Sequence, residues 1–231
     1  MKQQNKMNKT LEPTVFIIDD DEAVRDSLQM LMKSVGQAVE TFFSPIEFLE
    51  VLAHNENPPG CIVTDIRMPG MNGFELQGKL NEMQCTLPVI FISGYSDVPM
   101  AVRAIKDGAT NFIQKPFRDQ ELLDLIHDTL KIDARQRQEL LKRKEILRKL
   151  STLTERECEV LCHIISGKPN KVVAADINLS YRTVEIHRSC VMKKLGVKSL
   201  AQLVRQVMQV RDYLDGCINL NCPHPKNAQA K

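Results

Sequence analysis

Five side chains able to do chemistry stand at the ends of four short strand-like runs. Val15-Phe-Ile-Ile leads into Asp19 and Asp20, and Cys61-Ile-Val-Thr leads into Asp65. Val89-Ile-Phe-Ile leads into Ser93, and Asn111-Phe-Ile-Gln leads into Lys115. Clustered carboxylates repel one another and call for a cation. An all-oxygen donor set favours Mg²⁺, which keeps several waters and binds through one or two carboxylates plus phosphate oxygens. On this reading Asp20 and Asp65 are direct ligands, Asp19 acts through water, and the backbone carbonyl of Arg67 supplies a further oxygen. Such a cation orients a phosphoryl donor and neutralises its charge, so that Asp65 can attack phosphorus as a carboxylate nucleophile. The Lys115 ammonium would then pair with the phosphoryl oxygens, and the Ser93 hydroxyl would donate to one of them. Each of these residues alone also reads as an ordinary turn or cap residue. The agreement of four separate strand ends favours the chemical reading.

That agreement requires a particular scaffold. A strand over Ala38–Phe42 completes a set of five. Helical spacing of Val24, Leu28, Leu31 and Val35 follows the cap Asp21, and Gly36 stops that helix. Ser44-Pro45 opens a second helix to about His54. Helices are likewise expected over Gly73 to about Met83, over Val98–Asp107, and from Asp119 onward. Strands alternating with helices over 13–130 predict a parallel sheet with right-handed crossovers, which puts every strand's C-terminal end on one edge. The first 12 residues, polar and Lys-rich, are expected to be a flexible N-terminus.

Residues 14–130 resemble a response-regulator receiver domain. The resemblance rests on Asp19-Asp20, on Asp65 within Thr-Asp-Ile-Arg-Met-Pro-Gly-Met-Asn-Gly, on Ser93-Gly94 and on Lys115-Pro116-Phe117. The stretch from Gly94 to Val102 is similar to the FixJ branch in particular. The resemblance implies a flavodoxin-like α/β fold of strand order 2-1-3-4-5 and phosphorylation of Asp65 by a partner histidine kinase. It also implies a switch in which Ser93 turns toward the phosphoryl group and the strand-five aromatic, here Phe112, follows it inward.

Asp119 to Leu150 contains neither Pro nor Gly, which predicts a long helix. Leu122, Leu123, Ile126 and Leu130 share a face, and 131–150 reads as a charged helical linker. Its apolar spacing is not strict enough to choose between a spacer and a coiled-coil seam. Thr154 with Glu157 is a capping box opening the next domain, 151–214. Short helices over Asn170–Asp176 and from Tyr181 to about Leu195, joined by Ile177-Asn178-Leu179, form a helix-turn-helix. A last helix is expected from Ser199 to about Leu214. Residues 153–205 resemble the LuxR-type helix-turn-helix, on Leu-Thr-Glu-Arg-Glu at 153–157, Asn170-Lys171, Ser180-Tyr-Arg-Thr-Val-Glu-Ile-His187 and Lys194-Leu195-Gly196-Val197. Glu185 and Ser189 occupy positions that are often basic in that family. Glu185 could accept from a cytosine amino group, with Arg188 the other candidate for base readout. Lys171, Arg182, Thr183 and Lys193 are candidates for phosphate contacts, and His187 for packing or phosphate.

The charge distribution fits this division. Residues 1–130 hold 11 Lys and Arg against 19 Asp and Glu, a net −8; residues 131–231 hold 20 against 10, a net +10. An acidic half can hold a cation, and a basic half suits a polyanion. Seven scattered cysteines suggest reduced thiols, and with no secretory signal or spanning apolar run the expected location is the cytoplasm. Cys217, Cys222 and His224 supply only three zinc-type ligands, so 215–231 reads as a tail. The expected partners are a sensor histidine kinase, double-stranded promoter DNA, a second copy upon phosphorylation and RNA polymerase, with no membrane. Two alternatives stay open: a Mg²⁺-dependent phosphohydrolase using an Asp nucleophile, and a DNA-binding protein indifferent to phosphorylation.

Overall fold

A computed structural model describes residues 12–54, 58–94 and 98–211. Residues 1–11, the segment Tyr95-Ser-Asp97 and the Cys217, Cys222 and His224 tail lie outside the described residues. The chain divides into two compact units, 1–137 and 138–231.

In the first unit β1 (Thr14–Ile18), β2 (Ala38–Phe42), β3 (Gly60–Asp65), β4 (Val89–Ser93) and β5 (Asn111–Gln114) form one sheet of order β2-β1-β3-β4-β5. All four strand pairings are parallel. Successive strand side chains alternate between faces. Val15, Ile17, Cys61, Val63, Ile90 and Ile92 therefore pack on one side, with Leu28 and Met32 of α1 (Glu22–Ser34) and with Leu122 and Ile126 of α5 (Asp119–Leu150). Phe16, Ile18, Ile62 and Phe91 pack on the other. That face is covered by α2 (Pro45–His54), α3 (Gly73–Glu82) and α4 (Val98–Lys106), through residues such as Phe48, Leu76 and Ala104. The expected inner stripe of α1 included Val35; that residue is the helix C-cap and is exposed, and Met32 fills the core instead. The chain turns away after Ser34, so the helical period no longer applies at Val35.

The second unit packs α6 (Glu155–Ile165), α7 (Asn170–Asp176), α8 (Tyr181–Leu195) and α9 (Leu200–Met208) around Val160, Ile164, Val173, Val184, Val191, Leu195 and Leu203. Three N-caps fix where its helices begin. Thr154 and Glu157 form the reciprocal capping box of α6, Ser180 caps α8 through the Thr183 N–H, and Ser199 caps α9 through that of Gln202. Gly196, in the left-handed region at φ 69°, ends α8. The last helix stops at Met208, short of the expected Leu214; residues 212–214 lie outside the described residues.

The expected extension of the last receiver helix into the charged stretch 131–150 is present. Helix α5 runs unbroken through it, and Ile146 and Leu150 are already buried in the second unit's core.

Glu157 carries a second duty beyond its cap. It is buried, and its carboxylate accepts from Lys194 Nζ at 2.6 Å, while the same ammonium donates to the Thr152 carbonyl at 3.0 Å. Burial pushes the Glu157 carboxyl up, but the bonds from Lys194 and Thr154 outweigh it and leave the group below its ordinary value. A carboxyl depressed in the folded state adds stability above its unfolded pKa and loses it as pH falls through the folded one. Glu157→Gln should therefore cost about 2 kcal/mol at neutral pH, the scale of a hydrogen bond to a charged group. The difference from wild type should shrink as pH falls through the depressed folded-state pKa of Glu157. Amide exchange of α6 and α8 across that range measures it.

Candidate functional site

The strand order places β1 beside β3, with Ile18 opposite Thr64, so Asp19 and Asp65 leave the sheet as neighbours. Next along the edge, β4 sets Ile92 opposite Asp65, which brings Ser93 to the same rim. On β5, Gln114 pairs with Ser93, and the backbone N–H of Lys115 donates to the Ser93 carbonyl at 2.8 Å. Open α/β sheets bind ligands at this edge, in the crevice where the strand order reverses.

The Lys115 ammonium joins the rim together. Nζ donates to Asp65 Oδ2 at 2.9 Å and to Asp19 Oδ2 at 3.0 Å. The remaining oxygens are held by backbone. The Asp21 N–H donates to Asp19 Oδ1 at 2.9 Å, and the Arg67 N–H donates to Asp65 Oδ1 at 2.9 Å. Arg25 Nη1 donates to the Asp19 carbonyl at 2.7 Å, bracing the acidic loop from α1. Asp19 is 3% exposed, whereas Asp20 beside it is open to solvent. Ser93 is buried, and Phe112 lies partly buried against the core on the α2–α4 face. Arg67 is exposed.

The titration directions of the bridged pair look opposed at first. An ion pair should lower the acid and raise the ammonium, yet both are raised. For Asp19, burial is the largest influence and outweighs the Asp21 and Lys115 hydrogen bonds. For Lys115, burial alone would lower the ammonium, but the bonds to Asp65 and Asp19 together prevail. Asp19 is nearly enclosed and Lys115 a quarter open, so desolvation penalises the acid more.

Local sequence explains why the rim is tight. A Cβ on Gly73 would stand 2.6 Å from the Asp65 carbonyl and 2.9 Å from the Phe91 ring, so only glycine lets α3 start this close to the acid. Asn72 caps that helix in a reciprocal box with Glu75.

The second unit offers a separate surface. Arg182, Glu185, Ser189 and Lys193 lie at spacings of three and four along α8 and are exposed, and Lys171 is exposed on α7. Sequence reasoning passed over Ile186, which sits in the same stripe and is 55% exposed; its place on the outer helical face was the available signal. Two other candidates have structural employment. The Thr183 hydroxyl lies 2.7 Å from the Ser180 hydroxyl within the α8 cap, and Arg188 Nη1 donates to Asn170 Oδ1 at 2.9 Å, tying α8 to α7. His187 is half-buried.

Comparison with known proteins decides the family. Residues 15–127 match the family described as "Response regulator receiver domain", and residues 151–207 match "Bacterial regulatory proteins, luxR family". The chain is a response regulator. It is 40% identical over 201 residues to "Response regulator protein TodT" of Pseudomonas putida, covering 87% of this chain and 88% of that one. It is 42% identical over 195 residues to "Transcriptional regulatory protein FixJ" of Rhizobium meliloti, covering 84% and 95%. Among solved structures, response regulator StyR superposes with a TM-score of 0.75 at 43% identity, covering 86% of this chain and 99% of that one. The response regulator thus pairs a receiver with a LuxR-type DNA-binding half and serves transcription regulation. Among its described residues no helix is long and apolar enough to cross a membrane.

The Arg188 contact yields an expectation for this response regulator. Arg188→Ala should destabilise the second unit by about 1 kcal/mol, the net worth of one hydrogen bond. Ser189→Ala should stay within about 0.5 kcal/mol, as exposed substitutions do. Chemical denaturation followed by amide exchange in α7 and α8 would separate them.

Proposed function

We propose that Asp65 is the phosphoacceptor of this response regulator, that a sensor histidine kinase supplies the phosphoryl group, and that the modification governs pairing of two copies and their hold on promoter DNA. The single observation that carries this reading is the Lys115 ammonium shared between Asp19 and Asp65 at the sheet edge. A cation already bridges the two carboxylates, so the rim is built to neutralise charge at that point. Among the described residues no three His, Cys, Asp or Glu side chains gather into a metal cage. Mg²⁺ does not need one, since two carboxylates plus waters and phosphate oxygens suffice. The donor set of Asp19, Asp65 and the adjacent exposed Asp20, with the Arg67 carbonyl, fits that cation. When bound, Mg²⁺ would orient the phosphoryl oxygens and offset their charge.

The chain's own residues do the rest. An Asp65 oxygen attacks phosphorus, the bond from phosphorus to the donor breaks, and the donor leaves with the electron pair. As phosphorus arrives, Lys115 exchanges an Asp65 contact for a phosphoryl oxygen while keeping Asp19 as its counter-charge. Ser93 turns its hydroxyl toward the new anion, and Phe112, already half-buried behind it, moves with it. This change at β4 and β5 biases the receiver between two states. RNA polymerase is a further partner of the DNA-bound form, and the cytoplasm is the compartment where such partners meet.

Asp65→Asn should abolish phosphate incorporation from a small acyl phosphate, and removal of divalent cations should do the same to the wild type. Incorporation at the wild-type level by the variant would refute the assignment. Turnover of generic phosphate esters would instead favour a phosphohydrolase.

On the DNA side, Glu185 and Ile186 are assigned to base edges and Lys171, Arg182 and Lys193 to phosphates. Ile186 offers its apolar surface to a thymine methyl, and Glu185 accepts from a cytosine amino group. Lys171→Ala should weaken all duplexes alike and reduce the salt slope by about 1. Glu185→Ala should relax preference at one base pair, by about 1–3 kcal/mol. Titrations over a set of duplexes at several salt concentrations distinguish the two.

A further inference from the structure

Strand β3 has a root as well as a tip. Its tip carries Asp65; its first residue, Gly60, donates its backbone N–H to Asp133 Oδ2 at 3.1 Å. Asp133 lies on α5, beyond Leu122, Ile126 and Leu130, at the next inward position of that helix. It is 2% exposed. Arg137 Nε donates to the same oxygen at 2.7 Å, and Arg137 also donates to the Pro58 carbonyl just ahead of the strand. Asp133 Oδ1 is buried with no hydrogen-bond partner. The neighbourhood registers the charge: burial, followed by the Asp133 carboxylate, pushes the Cys61 thiol up to about 12.

Simple packing does not call for this arrangement. An aliphatic residue at an inward helical position would bury surface without the desolvation penalty of a carboxylate. A carboxylate supplies direction. It fixes both the rotation and the axial position of α5 against one particular N–H. That N–H belongs to a glycine that cannot be replaced in place. Gly60 has φ +151°, and a Cβ there would stand 1.9 Å from the Thr14 carbonyl.

We propose that Asp133, with Arg137, is a positioning pair that clamps the helix leaving the receiver to the root of the phosphoacceptor strand. A change at Asp65 then reaches the outgoing helix along a single six-residue strand held at both ends. The clamp itself stands on contacts within the first unit. Its signalling role rests on the assignment of Asp65 above.

The test uses the full chain with Asp133→Leu, Asp133→Asn and Arg137→Met. Asp133→Leu keeps an inward apolar side chain, so it separates direction from packing. Phosphate incorporation from acetyl phosphate should stay within about twofold of wild type, because the rim is untouched. Amides of 134–142 should exchange at least about tenfold faster in Asp133→Leu and Arg137→Met, with α8 unchanged as the folding control. The gain in affinity for a random-sequence duplex pool on phosphorylation should shrink at least about fivefold. Asp133→Asn, which can still accept from Gly60, should fall between these variants and wild type. Unchanged protection in both Asp133→Leu and Arg137→Met would overturn the clamp. Faster exchange with an unchanged phosphorylation gain would overturn its signalling role. If wild type itself shows no gain on phosphorylation, the Asp65 reading fails, and the clamp is judged on exchange alone.

Discussion

One ammonium between two carboxylates is the contact on which the receiver's chemistry depends. Asp19 and Asp65 come from adjacent strand tips, and without a cation between them their charges would drive the tips apart. Lys115 reaches both from the far side of β4. Sheet order, register and four crossover helices must all be right before that bridge can form. The bridge is also poised for exchange. Lys115 remains a quarter open to solvent, so an incoming anion can compete for it without unfolding the rim.

The two units solve a shared problem by different means. In the first, backbone fixes one oxygen of each bridged acid: the Asp21 and Arg67 N–H groups orient the acids, and Gly73 lets a helix start against the Asp65 carbonyl. In the second, helix ends carry the order. Thr154, Ser180 and Ser199 set the starts, and the buried Glu157–Lys194 pair ties α6 to α8. A rim that gathers two carboxylates has peptide N–H groups orienting them. A domain that must present a surface has its helices pinned at their ends.

The rim was largely legible in the sequence because strand ends followed by turn residues have few other readings. Asp19, Asp65, Ser93 and Lys115 could be assigned to one edge from the βα alternation alone, and the helix starts at Asp21 and Thr154 followed from cap chemistry. What local spacing did not reveal were the long-range partners of charged residues, Glu157 included although its capping role was read. Asp133, Arg137 and Glu157 look like members of a solvated helical face when only composition and local spacing are considered. Their partners lie 73, 79 and 37 residues away. No local pattern encodes such a pairing, and a helical wheel assigns a carboxylate outward by default. The same default led Arg188 to be read as reaching outward when one of its N–H groups holds Asn170.

Helix α8 divides lengthwise. Val184, Val191 and Leu195 are completely enclosed, so their size and shape are constrained by everything around them. Glu185, Ile186 and Ser189 face outward. Substitutions on that outer stripe therefore cost little stability, while those on the inner stripe disturb packing on every side. The outer stripe can thus be rewritten side chain by side chain while the folded body that carries it stays the same.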